Sequence, residues 1–447
     1  MKLNYLQSSS VILEHEGVKI FCDPWLVDGE LYGAWSHYPP LNVKPEQFND
    51  VDYIYLSHIH QDHFSQKTLS QMNKDIPIII HNFSSKVLKN NIEKLGFKVI
   101  ELNHNQRTHL KNNVYINILA ADNCDPQLCY KYFGCAPLEV KFGSTSIDTM
   151  CVIDNGDQVV VNTNDCPFEL AQTSAKIVKD NYKTIDLLLV GYTSASAYPQ
   201  CFVMSLEEKE KALSVLKQEF LSKAEKYVNL IEPKYFLPFA GRYTLTGKLA
   251  VLNDYRGVTE LDDAYDYFIT SPNIDQQKHR CIVLNSEVSF DITTGITEKP
   301  YERIDLQKKN EYITNVLANK KLDYETDPEP TDEGLIALIE KSYQRFDTKR
   351  KELHFSSDTS VIIKLSNEKY VTISCNGNGW KIINEKEVKD IQKFVKMSLD
   401  RKLLKRILLG PSMAHWNVAE NGSHIVFERN PDTYERGIYY CLSYFYS

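Results

Sequence analysis

The chain has 447 residues, of which 43% are hydrophobic and 25% charged, with a formal net charge of −8. That length exceeds one ordinary single-core domain and suggests two, or one large domain with an appendage. No lysine or arginine block stands out and no run of about 18 apolar residues occurs, so nucleic acid and membrane insertion are poor defaults. The N-terminus lacks an apolar signal-peptide core, and a cytoplasmic location is expected. Ten cysteines in this length read as buried thiols or ligands rather than a disulfide frame.

In chain order, Ser10 to Glu14 and Val18 to Cys22 flank the turn His15-Glu16-Gly17 and read as a hairpin. Val51 to Leu56 is a β-branched apolar run that stops at Ser57, where a histidine cluster begins. Phe64 to Asn73 reads as helix, Ile76 to His81 as strand, and Ser84 to Leu95 as a helix closed by Gly96. Strands are expected at 98–102 and 114–120, and a hairpin around Asn155-Gly156 joins 150–153 to 158–162. Ile185 to Val190 is a buried strand, Leu206 to Ile231 a long amphipathic helix, and Lys234 to Pro238 a strand ending in Phe239-Ala240-Gly241. This alternation gives the class α/β. Asp323 to Gly334 is acidic and proline-bearing and reads as a linker between a region 1–320 and a small α+β region 335–447. In the latter, 335–343 and 388–409 are expected helical, and 360–365 and 370–374 extended.

The chemistry concentrates in Ser57-His58-Ile59-His60-Gln61-Asp62-His63. Imidazole and carboxylate are the usual ligands of zinc and of non-haem iron or manganese. Histidines one residue apart can grip one ion from an extended loop, and Asp62 and His63 can serve a second. With only 12 histidines in the chain, three within six positions directly after a strand are not a chance polar loop. One or two divalent ions, zinc or iron, are the expected cofactors.

The segment resembles the signature of the metallo-β-lactamase superfamily. That resemblance implies an αββα sandwich with metals at the sheet edge, followed here by a C-terminal α+β extension. It assigns Asp23, in Cys22-Asp23-Pro24-Trp25-Leu26, to support of the metal site from behind the ligands. It also makes Asp165, in Val161-Asn-Thr-Asn-Asp165-Cys166, the metal-bridging aspartate, and implies catalytic roles for Asp62 and Asp165. The DPWL segment, the LSH cluster, NTxDC, Leu237-Pro-Phe-Ala-Gly241 and Arg429-Asn-Pro-Asp-Thr-Tyr434 are similar, in the same order, to the CMP-N-acetylneuraminate hydroxylase branch. That branch carries a Rieske iron–sulfur domain, whose paired Cys-x-His motifs this sequence lacks.

Two superfamily histidines have no counterpart here. The stretch Gly143-Ser-Thr-Ser-Ile-Asp148 has none where a third ligand is expected, nor has Pro238-Phe239-Ala240, where the last would fall; His104 and His109 fit neither slot. Asp122, Cys124 or Asp125, in an insertion that also holds Cys129 and Cys135, are candidate replacements, with buried thiols as the alternative. Arg242 and Tyr243 follow a strand end, where arginine can hold a phosphate or carboxylate bidentately or make a surface salt bridge. Trp35 and His37 are candidates to line the entrance, and His415 and Trp416 to pack or close over a pocket. The functions to be separated are hydrolysis of an anionic small molecule by metal-activated water, iron-dependent hydroxylation of a sugar or acyl group with a separate redox partner, and a degenerate metal-binding protein.

Overall fold

The computed structural model describes residues 1–121 and 148–447. Two mixed sheets face one another. The first has eight strands in the order Ile296–Thr297, Val288–Asp291, Lys2–Gln7, Ser10–His15, Val18–Cys22, Tyr53–Tyr55, Ile78–His81 and Val99–Leu102. The second has seven, in the order Arg280–Cys281, Tyr235–Phe239, Leu187–Gly191, Val159–Asn162, Thr149–Asp154, Val114–Ala120 and Thr108–Lys111. Period-two alternation divides each central strand between two cores. Leu187 and Leu189 join Leu3, Ile20 and Tyr55 between the sheets, whereas Leu188 and Val190 pack outward with Leu221, Val228 and Phe268 of the helices Leu206–Ile231 and Leu261–Thr270. This is the αββα sandwich expected from the sequence.

Strand polarity places the site. Val18–Cys22 runs parallel to Tyr53–Tyr55, so Asp23 and the histidine loop leave the first sheet at the same end. In the second sheet Val159–Asn162, Leu187–Gly191 and Tyr235–Phe239 are parallel, which gathers the residues just after them at one edge. Thr149–Asp154 pairs antiparallel with Val159–Asn162, so its beginning lies at that edge too.

The C-terminal region is a five-stranded sheet, in the order Trp380–Ile383, Tyr370–Ser374, Ser360–Lys364, Phe394–Ser398 and Val426–Asn430, with helices that include Asp332–Glu352 and Arg401–Leu408. Several local expectations are corrected. Residues 388–409 are not one helix: Phe394–Ser398 is a strand with alternating burial, and helix is confined to Glu385–Lys389 and Arg401–Leu408. Within 64–73 only Gln66–Leu69 is helical, started by a Ser65 cap that accepts from Thr68 N. Strands Lys2–Gln7 and Thr108–Lys111 and helix Phe168–Asn181 are additional to those read from the sequence. The acidic stretch after Asp323 has no helix or strand before Asp332, yet Tyr324 within it is buried, its Oη 3.1 Å from His424 Nδ1. Tyr324 belongs to a contact zone between the two regions. Trp25, Leu31, Trp35 and Tyr243 share one apolar core with Ile339, Phe346, Leu404, Phe427 and Phe445, and Leu31 O lies 2.8 Å from His424 Nε2. The seven described cysteines are buried and unbridged, and no described helix is long and apolar enough to cross a membrane.

Glu30 sits in the loop leading into that zone, 4% exposed, accepting from Ser65 Oγ at 2.6 Å. Burial pushes its carboxyl up to about 7 from 4.5. Between those values the folded chain keeps a proton that the unfolded chain has lost. Its contribution to stability is therefore complete below about 4.5 and declines as pH rises through 7. A Glu30→Gln variant should melt higher than the native protein at pH 8, by the equivalent of about 2–3 kcal/mol, and close to it at pH 4.5. An equal difference at both pH values would contradict the assignment.

Candidate metal centre

Asp23 is the hub from which the site is built. It is fully buried, adopts φ 45°, a conformation that aspartate tolerates better than most residues, and is anchored by donating its N–H to Tyr55 O at 2.9 Å. Its carboxylate accepts from Ser57 N at 2.8 Å, Ser57 Oγ at 2.7 Å and His63 Nδ1 at 2.8 Å. A carboxylate only accepts, so His63 carries its proton on Nδ1 and turns Nε2 to the site. Ser57 gives its single hydroxyl proton to Asp23, so the Oγ accepts from His58 Nδ1 at 3.0 Å, which leaves a lone pair on His58 Nε2. Ser57 thus fixes two ligands at once, a role that sequence reading did not assign.

Around His58 Nε2 stand His60 Nδ1 at 2.9 Å, Asp148 Oδ1 at 3.6 Å and Asp165 Oδ2 at 3.9 Å. His63 Nε2 lies 3.3 Å from Asp165 Oδ2 and 3.6 Å from Asp62 Oδ2. Tetrahedral ligands about 2.0–2.1 Å from an ion are about 3.3 Å from one another, and these spacings bracket that value. Two groups have the proximity an ion needs: His58, His60 and Asp148, and His58, His63 and Asp165. Asp62 Oδ2 and His63 Nε2 are buried with no hydrogen-bond partner of proper geometry among the described residues, as expected of atoms shaped to meet a cation. The donor set fits a metal.

The electrostatics agree. Burial, with His63 and His60 nearby, holds His58 well below the ordinary histidine value, and burial also lowers His60. Both are neutral and ready to ligate. Burial opposes charge on His63, but Asp165, Asp62 and Asp23 outweigh it and hold its pKa well above the ordinary value. Burial likewise raises Asp62, whereas Asp165 is held low against burial by His63, His58 and His60.

The structure brings together His58, His60, Asp62, His63 and Asp165, with Asp23 behind them. Cys124, like Asp122, Asp125, Cys129 and Cys135, lies outside the described residues. Asp148, the last residue of the stretch in which a third ligand was expected, forms a group with His58 and His60. A signal for it was present: continuing the register Cys151↔Asn162 three residues outward sets Asp148 opposite Asp165. At the slot of the last histidine, Phe239 and Ala240 are buried and offer no ligand.

Tyr243 is buried and stacked on Trp35 at 3.7 Å with an interplanar angle of 4°. Arg242 is half-buried and, contrary to the salt-bridge reading, forms no ion pair among the described residues. Trp35 and His37 are packed inside rather than lining an entrance, and His37 Nδ1 lies 2.9 Å from Asp28. His415 caps the helix Trp416–Asn421, and Trp416 is buried with Nε1 donating to Phe445 O at 3.1 Å, a packing role. His104 Nδ1 accepts from Ala120 N, and His109 is exposed on an edge strand.

Residues 2–133 match the model of the beta-lactamase superfamily domain. Over those residues the chain is similar to that superfamily. The chain is also similar in sequence to a putative Rieske 2Fe-2S iron–sulfur protein of Mycobacterium tuberculosis, 24% identical over 262 residues that cover 57% of this chain and 46% of that protein. It is also similar to cytidine monophosphate-N-acetylneuraminic acid hydroxylase of Danio rerio, 23% identical over 258 residues that cover 54% of this chain and 38% of that one. The chain spans about half the length of the curated relatives it matches, or less. Solved structures with a similar arrangement include isothiocyanate hydrolase from Delia radicum gut bacteria, with a TM-score of 0.43, 14% identity and coverage of 65% of this chain and 99% of that one. Another is CmlA, a diiron beta-hydroxylase from Streptomyces venezuelae, with a TM-score of 0.41, 16% identity and coverage of 67% and 54%.

Proposed function

We propose that this chain is a metal-dependent hydrolase that acts on an anionic small molecule, such as a phosphoester or a nucleotide-linked sugar. The observation that carries it is the pair of overlapping ligand groups at one sheet edge, with Asp165 Oδ2 within 3.9 Å of both His58 and His63. One imidazole nitrogen serves one ion at a time. If His58 completes a set with His60 and Asp148, then Asp62 is the remaining partner for His63 and Asp165. Such ions, when bound, lower the pKa of water and polarise the group it attacks. The chain's own groups do the rest. Asp23 and Ser57 fix the faces of His63 and His58, Asp165 spans the two halves, and Asp62 Oδ2 would complete the set that holds the ion beside His63.

A second reading, iron-dependent hydroxylation supplied with electrons by a separate iron–sulfur donor, is favoured by one specific feature. His58, His60 and Asp148 form a two-histidine, one-carboxylate set, the ligand type of non-haem iron oxygenases. Relatives named as a hydroxylase and as a Rieske protein support it as well.

Elemental analysis of protein purified with and without air separates the two. Hydrolysis predicts zinc or another redox-inert ion and turnover of an ester or phosphoester panel. Stoichiometric iron whose spectrum responds to reductant and oxygen would replace hydrolysis by hydroxylation. The His58→Ala/His60→Ala variant should lose about half of its metal if two ions bind and at least about ten-fold if one does; unchanged content would remove the site itself and with it both enzymatic readings.

A further inference from the structure

Arg242 is reached from strand Tyr235–Phe239 through Ala240 and Gly241, both at φ 67°. Ala240 N donates to Ser8 O at 3.1 Å. A Cβ on Gly241 would stand 2.8 Å from Thr193 Cγ2, so only glycine lets the turn press against the end of strand Leu187–Gly191. Tyr5, Tyr192, Glu260 and Tyr301 lie near enough to the guanidinium to act on its charge. Glu260 is already bonded to Lys309, and Tyr301 already donates to Asp262 at 2.9 Å. Arg242 donates no hydrogen bond among the described residues, and Lys309 leaves it without a counter-charge of its own.

Two further donors at this place are unmatched. Tyr5 Oη and Tyr192 Oη belong to residues 1% and 0% exposed, and neither has a hydrogen-bond partner among the described residues. A buried hydroxyl left unpaired costs about 1–3 kcal/mol, and folded chains pair nearly all such groups. A cation here would be repelled by Arg242, and an apolar group would satisfy none of the three. An oxyanion accepts from all of them, most strongly from the guanidinium.

We infer that Arg242, Tyr5 and Tyr192 form an oxyanion subsite that takes the carboxylate or phosphate of the substrate beside the metal centre. The two places are joined by one short turn: Ser8 O holds Ala240, and the next residue, Ser9, donates its Oγ to Asp62 O at 2.8 Å. The inference rests on the reading of the chain as an enzyme for an anionic small molecule, and it specifies which groups recognise the charge.

Calorimetric titration of the full-length protein with inorganic phosphate and with acetate, against chloride at equal ionic strength, tests it and shows which oxyanion is preferred. One of the two should bind at one equivalent. Arg242→Gln should weaken that binding at least about ten-fold, and Arg242→Lys should weaken it less, since the charge stays and the bidentate fork is lost. His58→Ala should leave it within about two-fold. In chloride buffer Tyr192→Phe should melt no lower than the native protein, because its hydroxyl has no bond to lose, yet it should weaken anion binding about three-fold or more. Neither anion binding better than chloride, or binding indifferent to Arg242→Gln, overturns the subsite. Binding lost in His58→Ala but kept in Arg242→Gln would mean the anion sits on the metal, which sinks the subsite and leaves the metal reading intact. Arg242-dependent binding in a protein that holds no metal would do the reverse.

Discussion

An Asp148→Ala protein should fold as the native one does and carry markedly less metal: about half if two ions bind, and at least about ten-fold less if one does. Asp148 Oδ1 stands 3.6 Å from His58 Nε2, in the same group as His60, and it is the one carboxylate of that group. Its backbone is held independently of any ion, because the next residue, Thr149, pairs with Ala120 and donates its Oγ1 to Ser57 O at 2.8 Å. Removing the carboxylate therefore removes a candidate ligand while these backbone bonds of Thr149 stay in place. Asp148→His, which restores the residue type the superfamily resemblance predicts, should recover more metal than Asp148→Ala. Competition with a chromogenic chelator reads both. Full metal retention by Asp148→Ala would show that the third ligand comes from elsewhere and would return attention to the insertion that holds Cys124.

Asp23→Asn should damage both stability and metal affinity. The native carboxylate accepts three hydrogen bonds in full burial, from Ser57 N, Ser57 Oγ and His63 Nδ1. An amide has one acceptor oxygen, and its NH2 group must face a donor. Breaking a buried charged pair of this kind costs about 3–5 kcal/mol, and loss of the group that orients a metal-binding histidine costs about 10–100-fold in affinity. Asparagine keeps the side chain's length and tolerates φ 45°, so the variant reports on charge and hydrogen bonding rather than on backbone strain. Urea unfolding of the metal-free protein and chelator competition on the loaded one measure the two losses separately. Native-like values in both would remove Asp23 from the centre.

The parts of the site that were legible in the sequence are those with a local signature. His58, His60, Asp62 and His63 fall within six consecutive positions, and Asp23 and Asp165 each sit in a short motif just past a strand. Asp148 was hidden because a histidine was expected there, and because its place depends on strand pairing rather than on neighbours in the chain. Counting outward from the Asn155-Gly156 turn would have set it opposite Asp165. Tyr5 and Tyr192 have no local pattern at all. They lie 187 positions apart in the numbering, and the absence of a partner for a hydroxyl exists only in three dimensions. In the fold, strands such as Leu187–Gly191 were legible as apolar runs and the helix Leu206–Ile231 from its amphipathic pattern. The segment 388–409 misled because its charged residues suit a helix, whereas the alternation of Phe394–Ser398 that makes it a strand spans only five residues.

The apolar core shared by Trp25, Trp35 and Tyr243 with Ile339, Phe346 and Phe445 has an evolutionary consequence. Trp25 and Trp35 lie two and twelve positions after Asp23, and Tyr243 follows Arg242, so the walls behind both candidate subsites are built partly from the last hundred or so residues. Mutational drift in those residues is not silent at the centre. A change of volume at Phe445 is transmitted through close packing to the loop behind the histidines. The two halves of the chain are therefore expected to diverge in step, with compensating substitutions paired across this seam.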